Sequence, residues 1–336
     1  MYKIVRKIFF LINPETIHNF VIRFFGKCSF LYPIFRKIYF PKSGQQSVTV
    51  KNLTFRNPLG LAAGLDKDGE AIRFWEVLGF SYVEVGTVTP VIQFGNPKPR
   101  LFRLVKQEGL LNRMGFNNNG AKALRENILK AKEKISANGF YIGANIGKNK
   151  LTPIESAKYD YIKCMDILDD AADFYTINIS SPNTEGLRKL QSENYFEDLI
   201  KAISEKNSSL SGKVIFIKIA PDLNDDEVTR IYNTVIKYDI DGIVATNTTT
   251  NRDDFPLLTD EEGGISGKPL KERADRILKK LNELNSASQK KIILIGCGGI
   301  FSKQDMKDKI NSGASLIQLF TSFIYEGPAI VKKLTD

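Results

Sequence analysis

Histidine is almost missing from this 336-residue chain: His18, near the N-terminus, is the single example. A hydrolase built on an imidazole base is therefore excluded from the rest of the sequence. Cysteine is also scarce. Cys28, Cys164 and Cys297 stand far apart, odd in number and without a C-x-x-C pair. That spacing excludes a disulfide framework, a structural zinc site and an iron–sulfur cluster, and it suits a reducing, cytosolic setting. Paired acid–base carboxylates and metal-ligand clusters are not evident, so no metal is expected. Nor does any apolar run reach the roughly eighteen residues of a membrane span, because Arg6, Lys7, Arg23 and Arg36 interrupt the best candidate. No small-residue cleavage site follows it, which argues against a signal peptide.

What is present is a hydrophobic fraction of 42% and a charged fraction of 26%, the composition of a globular protein with a large core. The formal charge of +10 is unevenly placed. Residues 1–42 hold eight Lys/Arg against one acid, Glu15, and so carry most of it. A nucleic-acid surface is thus not indicated. The same segment is rich in aromatic residues. Asn13-Pro14 reads as an N-cap with proline in the first helical position, and Gly26 as a stop. Ile17, Phe20, Val21, Phe24 and Phe25 fall on one side at helical spacing. Two helices with aromatic faces and basic flanks suit interfacial attachment to a membrane; a helical hairpin packed on the main domain is the alternative. The expected domains are residues 1–42, an amphipathic helical extension, and residues 43–336, a barrel.

Eight short apolar runs recur between helical stretches from about residue 55: Leu59–Ala63, Tyr82–Val85, Tyr141–Ala144, Phe174–Asn178, Val214–Lys218, Gly242–Thr246, Ile292–Ile295 and Leu316–Leu319. Such alternation predicts an α/β fold with a parallel sheet, and eight units predict a closed (β/α)8 TIM barrel over a doubly wound open sheet. Nearly every run ends in polar or glycine residues: AGLDK, GTVT, NIGKNK, NISSPNT, KIAPD, TNTTT, GCGGI and FTS. Active sites of such barrels form at these ends, with phosphate commonly held after strands seven and eight. GCGGIF fails the dinucleotide fingerprint because Phe301 takes its last position, and GGISGKP (263–269) is a misplaced imitation of a nucleotide-binding loop. Lysines at strand ends, Lys67 and Lys218, can stabilise an electron-rich ring or form a Schiff base. Asn112, Asn145, Asn178, Asn183 and Asn247 suggest a pocket for a flat, imide-like substrate.

NPLGLAAGLDKDGE, GTVTP, KPRLFRL, LLNRMGFNNNG, NIGKNK, NISSPNT, KIAPDL, TNTT, GGISGKPL and the GCGGI turn together resemble the class 2 dihydroorotate dehydrogenases, the membrane-associated, quinone-reducing branch of a flavoenzyme family. The resemblance covers essentially the whole chain. It implies a barrel holding FMN, oxidation of dihydroorotate to orotate in pyrimidine (UMP) synthesis, and electron delivery to a membrane quinone. No iron–sulfur partner subunit is implied. The matching cofactor positions are Ala63, Gly64, Leu65, Asp66, Lys67, Thr87, Asn145, Asn178 and Lys218, followed by Thr246, Gly267, Gly298, Gly299, Phe320 and Thr321. The matching substrate positions are Lys67, Asn112, Arg113, Met114, Gly115, Phe116, Asn178, Asn183, Asn247 and Thr248. Ser181 matches the catalytic base, a position where soluble class 1 enzymes carry cysteine. His18 and Arg103 match positions near an apolar quinone tunnel whose mouth the N-terminal helices form. Phe320 departs from the pattern, since many relatives have tyrosine there.

The implied chemistry suits these residues. Loss of a carbon-bound proton and a neighbouring hydride creates a ring double bond; flavin takes the hydride and a positioned oxygen takes the proton. Serine needs a closed, oriented site to act so, and Ser181 to Gln191 is expected to be a lid excluding water. The expected location is peripheral, on the cytoplasmic face of the inner membrane. A Schiff-base aldolase using Lys218 and the phosphate turn is a rival reading, separable by borohydride trapping against flavin absorption near about 450 nm. A non-catalytic barrel recruited to membranes is a second.

Overall fold

The computed structural model of the chain describes residues 2–42, 46–135, 139–252 and 261–336. The expected domain boundary after residue 42 adjoins residues 43–45, which lie outside them. Eight parallel strands close a barrel in sequence order: β1 Leu59–Leu61, β2 Tyr82–Val88, β3 Tyr141–Ile146, β4 Phe174–Asn178, β5 Val214–Ile219, β6 Gly242–Ala245, β7 Ile293–Cys297 and β8 Leu316–Leu319. β8 pairs back onto β1 through Ile317 and Leu59. All eight predicted runs are strands, and a helix follows each on the outside. Asp225–Lys237 shows why these helices form where they do. Asn224 and Glu227 make a reciprocal capping box, and Val228, Ile231, Tyr232 and Val235 give it one buried face.

The barrel interior is packed, as its apolar strands require. Tyr82, Phe174 and Phe216 fill it, and Gly60 and Gly143 leave the room: a Cβ on Gly143 would lie 2.1 Å from the Phe174 ring. An antiparallel hairpin, Val48–Val50 with Leu53–Phe55, supplies Phe55. Its ring meets Tyr82, Tyr141 and Phe174, which open β2, β3 and β4, so the hairpin plugs the N-terminal end of the barrel. Chemistry is left to the other end. There a three-stranded antiparallel sheet runs Gly264–Gly267, Gly109–Asn112, Leu101–Leu104. The GGISGKP stretch, which only imitates a nucleotide-binding loop in sequence, is therefore largely an edge strand.

The N-terminal segment forms three helices rather than two: α1 Tyr2–Leu11, α2 Pro14–Lys27 and α3 Tyr32–Tyr39. Asn13 caps α2 through Oδ1, 3.0 Å from Glu15 N. Gly26 does not end that helix, which runs to Lys27. Glycine is needed there for proximity, since a Cβ would sit 2.4 Å from the Glu70 carbonyl oxygen. The segment is packed and exposed at once. Phe25 stacks on Phe74 at 3.9 Å between centroids, and Ile22 and Tyr32 are buried. Ile4, Ile8, Leu11, Phe20, Ile34 and Ile38 remain exposed. Among the described residues no helix is long and apolar enough to cross a membrane.

Candidate active site

The strand ends converge on a cavity of about 460 Å³ that continues outward between α1 and α2. NISSPNT sits at its centre, held by a neighbouring strand and an outer helix. Ser180 Oγ donates to the Lys218 carbonyl at 2.6 Å, and Tyr161 OH donates to the Asn178 carbonyl at 2.8 Å. Ser181 is 6% exposed and lines the cavity. Its Oγ accepts the Asn183 backbone N–H at 3.3 Å. Asn183 Nδ2 donates to Asn112 Oδ1 at 2.9 Å, which joins β4's end to the antiparallel sheet. Asn247 Nδ2 donates to Asn178 Oδ1 at 3.2 Å and to Ser180 Oγ at 3.1 Å. Met114, Gly115, Phe116 and Thr248 complete this polar end.

Lysines supply its charge. Lys67 lines the cavity and makes no hydrogen bond or ion pair among the described residues. Burial lowers its pKa to about 8, with Asp68 opposing that shift. Lys218, 5% exposed, points Nζ at Gln318 Oε1, 3.5 Å away. His18 lies on the same cavity, where burial first and the Lys67 charge second hold its pKa near about 3, so its imidazole is neutral.

A third part of the wall is glycine. Gly267, Gly298 and Gly299 have φ of 92°, 113° and 75°. A Cβ on Gly298 would lie 2.9 Å from Leu270 Cδ2, and one on Gly299 2.5 Å from Lys271 Cα. Neither the Gly298 nor the Gly299 N–H has an acceptor among the described residues. Ser266 and Thr321 hydroxyls pair at 2.8 Å beside them. Free N–H groups on a cradle that only glycine permits fit a phosphate. Ala63, Gly64, Leu65, Thr87, Thr246 and Phe320 line the stretch between this cradle and the polar end. The residues thus suit an elongated ligand with a phosphate at one end and a ring at the other, which is the shape of FMN.

Three expected site residues stand outside the wall. Asp66 is buried behind it, accepting from Glu70 N, Ala71 N and Trp75 Nε1, and so braces the turn that leads into the first outer helix. Asn145 lies behind Thr87 and Asn178 and contacts only protein. Arg113 turns away to Glu261 and the Pro99 carbonyl, over the Phe102 ring. The substrate stretch Asn112–Phe116 therefore lines the cavity at every position but Arg113.

The outer end of the cavity is apolar. Val5, Phe9, Ile17, Val21 and Phe35 line it, with Arg103 at its side. Arg103 donates to the Phe9, Phe10 and Ile12 carbonyls and so caps the C-terminus of α1. Glu15, 6% exposed, receives Arg100 Nη2 at 2.7 Å and Nε at 3.2 Å, which locks α2 to the loop after β2.

Several residues of this site escaped the sequence reading. Arg188 donates to the Ser180 and Thr248 carbonyls and to Asp222, and so latches the Ser181–Gln191 segment over the strand ends. Thr184 Oγ1 is buried without a hydrogen-bond partner among the described residues. Gln318 lines the cavity, and Glu84 is buried in the barrel beneath it, bonded to the Gln318 amide. A glutamate among the valines of YVEV was the one available signal, because a charge within a fully buried strand requires partners.

Comparison with known proteins now bears on this geometry. The family model described as dihydroorotate dehydrogenase matches residues 45–336. A Proteus mirabilis protein named dihydroorotate dehydrogenase (quinone) is 44% identical, across 100% of this chain and 99% of its own. An Actinobacillus pleuropneumoniae protein of the same name is 45% identical, with coverage of 99% and 98%. Among solved structures, DHODH of Eimeria tenella in complex with ferulenol superposes with a TM-score of 0.84 at 34% identity, covering 96% of this chain and 90% of that one.

Proposed function

The chain belongs to the dihydroorotate dehydrogenase family, and from that premise we propose that it oxidises dihydroorotate to orotate with FMN as cofactor and a membrane quinone as electron acceptor. Its place as a quinone-type oxidoreductase of pyrimidine biosynthesis follows from relatives matched along their whole length. The aldolase and scaffold readings give way to it. The observation that carries the finer reading is the single cavity joining the Ser181 end to an apolar mouth between α1 and α2.

In this reading Gly267, Gly298 and Gly299 would hold the phosphate of FMN and Ala63, Gly64, Thr87 and Thr246 its ring end, and the flavin would supply the acceptor for the substrate's hydride. The chain's own residues do the rest. Asn112, Asn183 and Asn247 hold the polar edges of a flat ring, and Lys67 provides a cation for its carboxylate. Ser181 receives the carbon-bound proton at Oγ, where the Asn183 N–H keeps it oriented. The serine's own hydroxyl proton leaves Oγ as the carbon-bound one arrives and is released to solvent, so Ser181 ends the step neutral. The electron pair of the broken C–H bond stays in the ring as the new double bond, so the step balances. Lys218 favours negative charge developing beside it. The Arg188 latch keeps water from the reacting carbon.

At the other end, residues 1–42 form the membrane-facing domain, and residues 43–336 form the barrel. The basic flanks and exposed apolar side chains of the three helices suit peripheral attachment on the cytoplasmic face of the inner membrane. Quinone enters the apolar mouth past His18 and Arg103. A neutral imidazole is compatible with that passage, and Arg103 spends its charge on the α1 carbonyls. Phe320 brings no hydroxyl to this wall. The test is dihydroorotate oxidation by purified protein with ubiquinone, fumarate and NAD compared as acceptors. A yellow protein that reduces ubiquinone alone supports the proposal; a colourless or fumarate-linked one overturns it.

A further inference from the structure

We infer that Glu84 is a positioning residue for substrate binding: it fixes which way the amide side chains of the candidate site face. Glu84 is 0% exposed, within β2, and touches neither the cavity nor solvent. Two amide groups donate to its carboxylate, Asn145 Nδ2 at 2.6 Å and Gln318 Nε2. Both partners are donors, so the carboxylate serves as an acceptor only, as its ionised form does.

The consequence runs in two directions. Asn145 has its N–H on Glu84, so its Oδ1 must face the other way, where it accepts Thr87 Oγ1–H and Asn178 Nδ2–H, the latter at 3.2 Å. Asn178 then turns its Oδ1 toward Asn247, which donates at 3.2 Å. Glu84 thus orients Asn145, Asn145 and the Ser180 N–H (3.3 Å from Asn178 Oδ1) together orient Asn178, and Asn178 with Ser180 Oγ orients Asn247. The second arm is shorter. Gln318 has its N–H on Glu84 and its Oε1 toward the Lys218 ammonium, at 3.5 Å. An anion at one end and a cation at the other hold that amide in a single sense.

An amide can be flipped at almost no steric cost, so sterics alone would leave these groups free to reverse. A buried carboxylate removes the choice, because reversing either neighbour would turn an amide oxygen on the anion. This rests on the reading that Asn178 and Asn247 meet the substrate. It gives Glu84 a role that neither contact with a ligand nor packing supplies.

A charge swap tests it. In Glu84→Gln the new side chain has one amide oxygen for two incoming N–H groups, so one of the two arms must reverse. Orotate affinity of the FMN-loaded protein should weaken by about tenfold, while melting temperature stays within a few degrees. Asn145→Asp alone sets two carboxylates against each other and should also weaken binding. Together, E84Q and N145D restore an acceptor-only group facing Thr87 and Asn178, with the amide introduced by E84Q free to donate to it. The double variant should bind orotate within about threefold of the parent, a recovery that additive packing damage cannot give. If E84Q alone does not fold, recovery of folded, orotate-binding protein in the double variant decides the matter. Losses that simply add, or an E84Q protein with parental affinity, overturn the inference. A parent protein that takes up FMN yet binds no orotate overturns the functional reading itself, and this inference with it.

Discussion

Glutamate 15 offers a measurable handle on the N-terminal helices. Its carboxylate, 6% exposed, is the only acid among residues 1–42 and is shared between Arg100, itself 6% exposed, and Lys98 Nζ at 3.4 Å. Replacing it with alanine leaves the Arg100 guanidinium buried with two backbone carbonyls, of Phe94 at 2.6 Å and Asn96 at 2.8 Å. Breaking a buried ion pair from one side costs about 3–5 kcal/mol. The two surviving acceptors place this case at the lower end, about 3 kcal/mol, or roughly a hundredfold in the docking equilibrium of α2. Hydrogen exchange followed by mass spectrometry should show the amides of 14–27 opening that much more often, with barrel strands unaffected. Quinone reduction should fall while reduction of a small water-soluble acceptor persists. The pH dependence carries its own sign. Burial would raise the Glu15 pKa, but Arg100 and Lys98 outweigh it and hold the value below the ordinary 4.5. The pair's stabilisation is therefore present above pH 4.5 and lost as pH falls through the lower folded-state value. Glu15→Leu with Arg100→Met removes both charges and should regain much of the loss. Unchanged exchange across 14–27 in Glu15→Ala would refute the docking argument.

Ser181→Ala should remain yellow and bind orotate, yet oxidise dihydroorotate about 10²–10⁴-fold more slowly in stopped-flow traces; full activity sinks its role as base. Orotate affinity should decline above pH about 8, where Lys67 loses its proton, by up to about tenfold per unit. Titration calorimetry would reveal that slope, and Lys67→Met should abolish it along with much of the affinity. Removing residues 1–42 should spare FMN but end vesicle co-sedimentation and quinone reduction; a truncated chain still pelleting with vesicles contradicts the attachment.

The barrel was readable because its strands are buried on both faces. Runs such as VIFI (214–217) and GIVA (242–245) are continuous apolar stretches, and polar residues begin where each strand leaves the core. Strand-end motifs such as NISSPNT mark the cavity for the same reason, since polarity at the end of a buried strand must face a ligand or another polar group. Boundaries set by tertiary contact were not readable. Gly26 looks like a helix stop in sequence, and only the approach of the Glu70 carbonyl explains why the helix passes through it. The GGISGKP strand exists because residues 109–112 are there to pair with it, some 150 residues away in sequence. Arg113 was expected at the substrate because it matches a family position, yet its side chain turns to Glu261 and the Pro99 carbonyl, on the side of the segment away from the cavity. Arg188 could not be found by spacing at all, because its partners come from three different strand ends.

A chain with a single histidine must obtain directionality for proton and charge from other groups. Here it comes from side chains that do not titrate near neutrality but can be oriented. Asparagine and glutamine offer a donor and an acceptor on one flat group, and their usefulness depends on which end faces the ligand. Burying them fixes their position; burying Glu84 among them fixes their sense. The cations then fall into two kinds. Lys218 is buried and tied through Gln318 to that carboxylate, whereas Lys67 lies open to the cavity without a partner among the described residues. The first is suited to a constant field, the second to a ligand that comes and goes. Ser181 lines the same cavity, and its hydroxyl accepts one backbone N–H, which leaves its own proton free for the transfer proposed above. Weak acid–base groups suffice in such a place because the enclosing amides and lysines are already arranged, so little reorganisation is needed when charge develops.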